Sequence, residues 1–494
     1  MSSVILGPPG TGKTTAILNL IEEELNNGTP PDRIGYFAFT KKASEEGKIR
    51  TIDRFSMTAS DIPHFRTLHS LCYKMLGLTR EAVMGKQHYK DFNDLMGMRL
   101  TGDLKLEEGS ITVLSKDDKL KFVEGLSRLR CVPLREQYHH HHDDDIDWYR
   151  LDRYARGLVK FKQARSVYDF TDMLELCVQK ELCPRLDAVF IDEAQDLSPL
   201  QWKLVNLITS KADRVYIAGD DDQAIFTWAG ADVDHLVGLS KNATVLNKSY
   251  RLPKSVYEVA NKVIKRIHNR AEKIWDSKEE QGSVISQASF EHVDLTEGEW
   301  LILSRSNYLL NEIEAHCLGL GVFFERKERP SISHKKVNAV RNWEQLRKGE
   351  LIFPDQAQEI MSYIKGSKIK KFETFEPSAK LTLKQVVNVG ELSEPEIWHD
   401  MFTNLSAHER SYILALLRAG EKITKTPRIK LSTIHSAKGG EADNVLLLTD
   451  IPTKTWNKYE KNPDDETRVF YVGLTRAKQN LHIVQPKTNK YFMV

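Results

Sequence analysis

The chain has 494 residues, with 71 lysines and arginines against 69 aspartates and glutamates, a formal net charge of +2. A chain beyond about 250–300 residues divides into domains, so two to four are expected. A hydrophobic share of 40% supplies buried cores and excludes a mainly disordered chain. The near-neutral balance excludes a histone-like polycation but not a local basic stripe that meets nucleic acid. The five cysteines, Cys72, Cys131, Cys177, Cys183 and Cys317, are odd in number and form no CxxC. That spacing argues against a disulfide framework, a zinc ribbon or a Cys-ligated iron–sulfur cluster. No apolar run reaches the roughly 18 residues that span a bilayer, and MSSVILGPPG reaches glycine too soon for a signal peptide. A soluble cytoplasmic protein with no membrane partner is expected.

In chain order, Val4–Leu6 reads as a short strand, followed by a Gly/Pro/Thr loop and a helix over 15–25 with apolar residues at helical spacing. Further strands read at 34–39, 188–191 and 215–218, all short and apolar on both faces, as in a parallel sheet covered by helices. Residues 80–165 are charged and helical in rhythm, with the clearest helices at 117–130 and 147–163. They read as an insertion into the first α/β domain. A second α/β pattern begins after Tyr250, with strands at 300–303 and 444–448. It is interrupted over about 326–425 by a polar, helix-rich, locally basic stretch with Lys365, Lys368, Lys370, Lys371, Lys380 and Lys384. The fold class is therefore α/β, with two parallel-sheet cores each carrying a mostly helical insertion. The run of His139, His140, His141 and His142 before Asp143, Asp144 and Asp145 reads as a solvated loop that could meet a divalent metal.

Gly7-Pro8-Pro9-Gly10-Thr11-Gly12-Lys13-Thr14 fits GxxxxGK[ST] between a strand and a helix, the context of a phosphate-binding loop. Glycines let backbone N–H groups face phosphates, and the helix N-terminus adds partial positive charge. Lys13 would reach the β- and γ-phosphates and Thr14 would ligate Mg²⁺, with Thr15 next in the helix. Asp192 at a strand end would hold Mg²⁺ through water, and Glu193 would act as general base on the attacking water. Gln223, after the strand at 215–218, would sense the γ-phosphate. Phe226 and Trp228 would stack on nucleic-acid bases, or would be core residues.

With these residues the chain resembles superfamily 1 DNA helicases of the UvrD/Rep/PcrA group, and further segments follow in that family's order. YFAFTKKA (36–43) and RTLHSLC (66–72) are similar to segments that meet single-stranded DNA, implying DNA contacts from Phe39, Thr40, Thr67 and His69. YDFTDML (168–174) resembles the segment re-entering the first core. LNKSYR (246–251) resembles a motif whose Tyr, here Tyr250, stacks on the nucleotide base and whose Arg, here Arg251, touches the γ-phosphate. LSTIHSAKGGE (431–441) implies DNA contacts from Thr433 and His435 and a ribose contact from Glu441. YVGLTRA (471–477) implies a second phosphate contact from Arg476.

The resemblance implies two RecA-like cores. Core 1A would comprise 1–79 and 166–245 around insertion 1B at 80–165. Core 2A would comprise 246–325 and 426–494 around insertion 2B at 326–425. It implies an ATP- and Mg²⁺-dependent motor moving 3′ to 5′ on single-stranded or junction DNA. Three departures stand out. No glutamine precedes the phosphate loop to read adenine, Ala229 stands where the family has an arginine, and Gly440 replaces a leucine. The general build also resembles the helicase-like subunit of the Gabija anti-phage system, which implies a partner nuclease of the OLD type. Two readings follow: a DNA motor, or an ATP-regulated DNA sensor that controls such a nuclease.

Overall fold

A computed structural model describes residues 2–101, 115–140, 146–392, 395–423 and 426–494. His141, His142 and the three aspartates after them lie outside the described residues.

The first sheet has strands β1 (Ser2–Leu6), β2 (Ile34–Ala38), β3 (Phe65–Thr67), β4 (Ala188–Asp192), β5 (Arg214–Gly219) and β6 (Thr244–Val245). Their order is β3-β2-β4-β5-β1-β6, and every pairing is parallel. All residues of β2 and β4 are buried, because helices cover both faces of a parallel sheet. Two of these strands, β3 and β6, went unread in the sequence; with three and two residues they carry too little pattern.

The second sheet joins β7 (Ser283–Gln287), β8 (Trp300–Ser304), β9 (Phe324–Arg326), β10 (Arg329–Pro330), β11 (Ile429–Thr433), β12 (Ala442–Leu448) and β13 (Ala477–Val484). Its order is β10-β9-β11-β8-β12-β13-β7, parallel except for the β9–β10 pair. The molecule thus has two α/β, RecA-like cores.

Helices at Lys86–Met96, Lys116–Leu129 and Trp148–Arg165 close around their own core of Phe92, Leu120, Val123, Leu151, Tyr154 and Phe161. The helices between His334 and Ala419 behave differently. Their Val337, Trp343, Ile360, Phe372 and Phe402 share one continuous core with Trp300, Ile302 and Ile429 of the second sheet. Two lysines of the basic stretch, Lys368 and Lys371, face Glu391. Among the described residues no helix is long and apolar enough to cross a membrane, and no cluster of metal-ligand side chains occurs.

Topology positions the site. The carboxyl ends of β1, β2, β4 and β5 lie along one edge of the first sheet, with Leu6 opposite Gly219 and Ala38 opposite Asp192. Loops leaving that edge converge on one cleft, as is general for open α/β sheets.

Candidate nucleotide cleft and aromatic seam

The loop after β1 folds back on itself. Gly7 N–H donates to Gly219 O at 2.9 Å, and the buried Thr11 Oγ1 donates to Pro8 O at 2.8 Å. Gly10 and Gly12 take φ of 73° and 80°, where a side chain is strained. At Gly10 there is also no room: a Cβ would lie 2.3 Å from Arg251 Cβ. Helix Lys13–Asn26 starts at Gly12 with no side-chain cap, so its first N–H groups face the concavity of the loop. Thr14 sits in its first turn, half-buried, and Thr15 is exposed.

Lys13 Nζ lies 2.5 Å from Glu193 Oε1 and 3.4 Å from Asp192 Oδ1. Burial alone would lower the Lys13 pKa, but Glu193 and Asp192 outweigh it and hold the ammonium above its usual value. Burial likewise works against the Glu193 charge, yet Lys13 and Lys438 pull its carboxyl down to about 2. Asp192 goes the other way, raised by burial and by Glu193 despite Lys13 and a 2.8 Å hydrogen bond from Tyr36 Oη. Glu193 adopts φ 54°, ψ 40°, a strained backbone of the kind that clusters at functional sites. Gln195, fully buried, donates from Nε2 to Glu193 Oε2, and its Oε1 accepts from Asp220 N–H at 3.0 Å.

The oxygen donors here, the Thr14 hydroxyl and the Asp192 carboxylate, are of the hard type that Mg²⁺ takes. The under-compensated Asp192 charge and the open glycine cradle fit a divalent cation with phosphates.

The second core reaches into this cleft. Arg476, 1% exposed, donates from Nη2 to Gln223 Oε1 at 2.8 Å. Burial, with Arg251 nearby, brings its pKa down to about 9. Arg251 presses on Gly10 and donates from Nε to Glu441 Oε2 at 2.5 Å. Ser249 Oγ donates to Pro9 O at 2.8 Å and Tyr250 N–H to Gly10 O at 2.8 Å. Tyr250 itself is 74% exposed beside Gly12, a free aromatic face at the mouth of the loop. Lys438 donates to both oxygens of Asp196, at 2.8 and 2.6 Å, and to Gln223 O at 2.8 Å. Burial raises the Asp196 carboxyl to about 6 even with Lys438 on it.

Beside the cleft runs a seam of rings. Phe226 lies 5.6 Å from Phe39, 6.4 Å from Trp228 and 6.2 Å from His435, and Trp228 lies 6.3 Å from His435. The seam therefore joins β2's end, the loop after β5 and the loop after β11.

Two family models match the chain: the UvrD/REP helicase N-terminal domain over residues 1–244, and the UvrD-like helicase C-terminal domain over residues 334–488. The chain belongs to the UvrD/Rep helicase family. It is 24% identical over 332 residues to the ATP-dependent DNA helicase Rep of Buchnera aphidicola, a match over 62% of this chain and 47% of that protein. It is 22% identical over 589 residues to the probable DNA helicase II homolog of Mycoplasma genitalium, over 97% of this chain and 82% of that protein. With the ATP-dependent DNA helicase PcrA of Staphylococcus epidermidis it shares 20% identity over 599 residues, 99% of this chain and 82% of that protein. Against Rep and the putative helicase YjcD of Bacillus subtilis, the chain spans under half of the relative's length.

In this UvrD/Rep-type chain the remaining expected DNA residues are dispersed. Thr40 and Thr67 cap helices, accepting from Ala43 N–H at 3.1 Å and Ser70 N–H at 3.2 Å. Thr433 accepts from Ser436 N–H at 3.3 Å. His69 meets the exposed Phe170 edge-on at 5.9 Å, and burial lowers its pKa to about 4. Trp228 is half-buried, with Phe122 of the first insertion stacked on it at 6.2 Å. Glu441, expected at a ribose, is engaged by Arg251 instead.

Gln195 and Lys438 were overlooked as individual residues. Both lie within motifs read in the sequence, but contacts across 25 and 242 positions leave no local trace.

Proposed function

We propose that the chain is an ATP-dependent DNA translocase or helicase that moves 3′ to 5′ on single-stranded or end-containing DNA. The observation that carries this reading is the Arg476–Gln223 contact, a guanidinium from one core held by the polar side chain that follows the nucleotide-facing strand of the other. An arginine delivered across a cleft is worth about 10³–10⁵ in rate in well-studied NTPases.

Lys13 in this role leaves Glu193 for the β- and γ-phosphates. That exchange removes the larger of the two cationic influences on Glu193, leaving Lys438, and frees its carboxylate to act as a base for water. Gln195 keeps the carboxylate oriented through the change. Thr14 and Asp192 would hold Mg²⁺, which supplies charge neutralisation at the β- and γ-oxygens. Arg251 and Arg476 turn from Glu441 and Gln223 to the phosphates, so cleft closure depends on ATP. Tyr250 offers a stacking face for the base. DNA lies along the Phe39–Phe226–Trp228–His435 seam, while Thr40, Thr67, His69 and Thr433 stay as proposed contacts outside it. The resemblance in general build to the Gabija helicase-like subunit supports a nuclease partner and a role in anti-phage defence.

The test is steady-state ATP hydrolysis with and without single-stranded DNA. Strong stimulation supports a motor whose two sites communicate. Little hydrolysis in both conditions overturns the motor and supports a sensor subunit that awaits its nuclease.

A further inference from the structure

Behind the aromatic seam lies a cavity of about 550 Å³ where the first insertion, the turn after β5 and the segment 458–465 of the second core meet. Three nitrogen donors point to its chemistry. Gln137, fully buried, has an amide Nε2 without a hydrogen-bond partner, and Trp228 Nε1 is buried without one as well. Arg130 reaches Thr227 O at 3.0 Å and Gln137 Oε1 at 3.4 Å, both neutral oxygens. Among the described residues it has no carboxylate within ion-pair distance; burial lowers its pKa, and Asp465 on the same wall partly offsets that. Lys458, Lys461 and Asn462 complete the rim.

Two acids also line the cavity. Glu136 lies 3.8 Å from His140, and Asp465 is raised by burial and bonded to Thr227. Arg130, Lys458 and Lys461 outnumber these two acids along the lining. Each buried donor left without an acceptor costs about 1–3 kcal/mol, and the half-buried Arg130 guanidinium, bonded only to neutral oxygens, would gain a stronger charge-assisted bond from an anion. A wall that keeps all three is shaped for an acceptor-rich anion.

We infer that this three-way junction is a second phosphate-binding site, separate from the loop at 7–14, with Arg130 as its bidentate donor, Gln137 and Trp228 as neutral donors and Lys461 as the rim cation. The phosphate belongs to a passing DNA strand or to a free polyphosphate. The strand source rests on the DNA reading above; the free source does not.

Two arms separate the sources. In the first, a fluorescein-labelled oligothymidylate is titrated across a salt series. If the strand supplies the phosphate, Arg130→Gln with Lys461→Gln lowers the log–log salt slope by about 0.7 per lost contact, while ATP hydrolysis without DNA stays at its wild-type rate. In the second, pyrophosphate is titrated calorimetrically into Lys13→Ala protein. If free polyphosphate is the ligand, one site remains, Arg130→Gln abolishes it and Arg130→Lys restores part of it. Unfolding temperatures of all variants are measured alongside. An unchanged slope together with no Arg130-dependent pyrophosphate site overturns the proposal. A chain that binds no oligonucleotide refutes the DNA reading and leaves the second arm to decide the pocket.

Discussion

Glu193 carries two strains at once: a left-handed backbone and a buried charge held chiefly by Lys13, with Lys438 as a second cation. In the mechanism proposed above this makes Glu193 a base masked until phosphate arrives. Glu193→Gln is expected to keep ATP binding and to lose turnover by about 10²–10⁴-fold, the usual share of general-base catalysis. Substantial DNA-stimulated turnover in that variant would count against Glu193 as the base. Gly10→Ala is expected to abolish nucleotide binding, because its Cβ meets Arg251 at 2.3 Å on a backbone at φ 73°; fluorescent-nucleotide titration reads this directly. Lys13, Thr14, Asp192 and Glu193 were legible in the sequence because their positions follow from a strand, a tight loop and a strand end. The pairing of Arg476 with Gln223 spans 253 positions and obeys no periodicity. Only the folded cleft reveals which acceptor each arginine holds.

At the scale of elements, the legible features were those whose burial is one-sided or complete. The strands β2, β4, β8 and β12 are apolar because both sheet faces are covered, and their runs were visible for that reason. The shared core between the second sheet and the helices at 334–419 was not visible, since a helix's apolar stripe does not name the surface it covers. The first insertion is fastened by charge. Arg128 contacts Glu175, Asp169 and Asp172 of the segment that re-enters the first core, and Lys162 Nζ lies 2.6 Å from Asp169 and 2.7 Å from Asp172. Burial opposes the Asp169 charge, but Arg128 and Lys162 hold its carboxyl at about 2, against about 3.9 when unfolded. A depressed carboxyl contributes stability that is complete above the unfolded value and lost as pH falls toward the folded one. Asp169→Asn should therefore lower the unfolding temperature at pH 7, and the difference should shrink as pH falls from about 4 through about 2. Hydrogen exchange in the helix Phe170–Gln179 should rise in the wild type over that same interval.

At the scale of the whole molecule, the two cores touch through contacts of different character. Lys438 on Asp196 sits at the cleft, part-exposed and beside the Phe226 ring at 5.1 Å. It links the nucleotide side to the aromatic seam. Lys438→Met is expected to reduce the ratio of DNA-stimulated to unstimulated hydrolysis by about tenfold, equivalent to about 1.4 kcal/mol of coupling, with the unstimulated rate altered less; parallel rate measurements check it. A second contact lies deeper. Lys273, with a fully buried side chain, sits 3.3 Å from Asp220 and 3.0 Å from Asp222 and also contacts Asp221, while Arg270 binds Asp222 through two bonds of 2.8 and 2.6 Å. Parting the cores there would strand three buried carboxylates and two cations, and breaking such pairs costs several kcal/mol each. In the motor proposed above this joint would be the fulcrum: cores held together here could swing only about it, so the stroke would grow with distance along the lever arm. It also ties their melting together. Calorimetry of the intact chain should give a single cooperative endotherm for both cores, and Lys273→Met should split it in two.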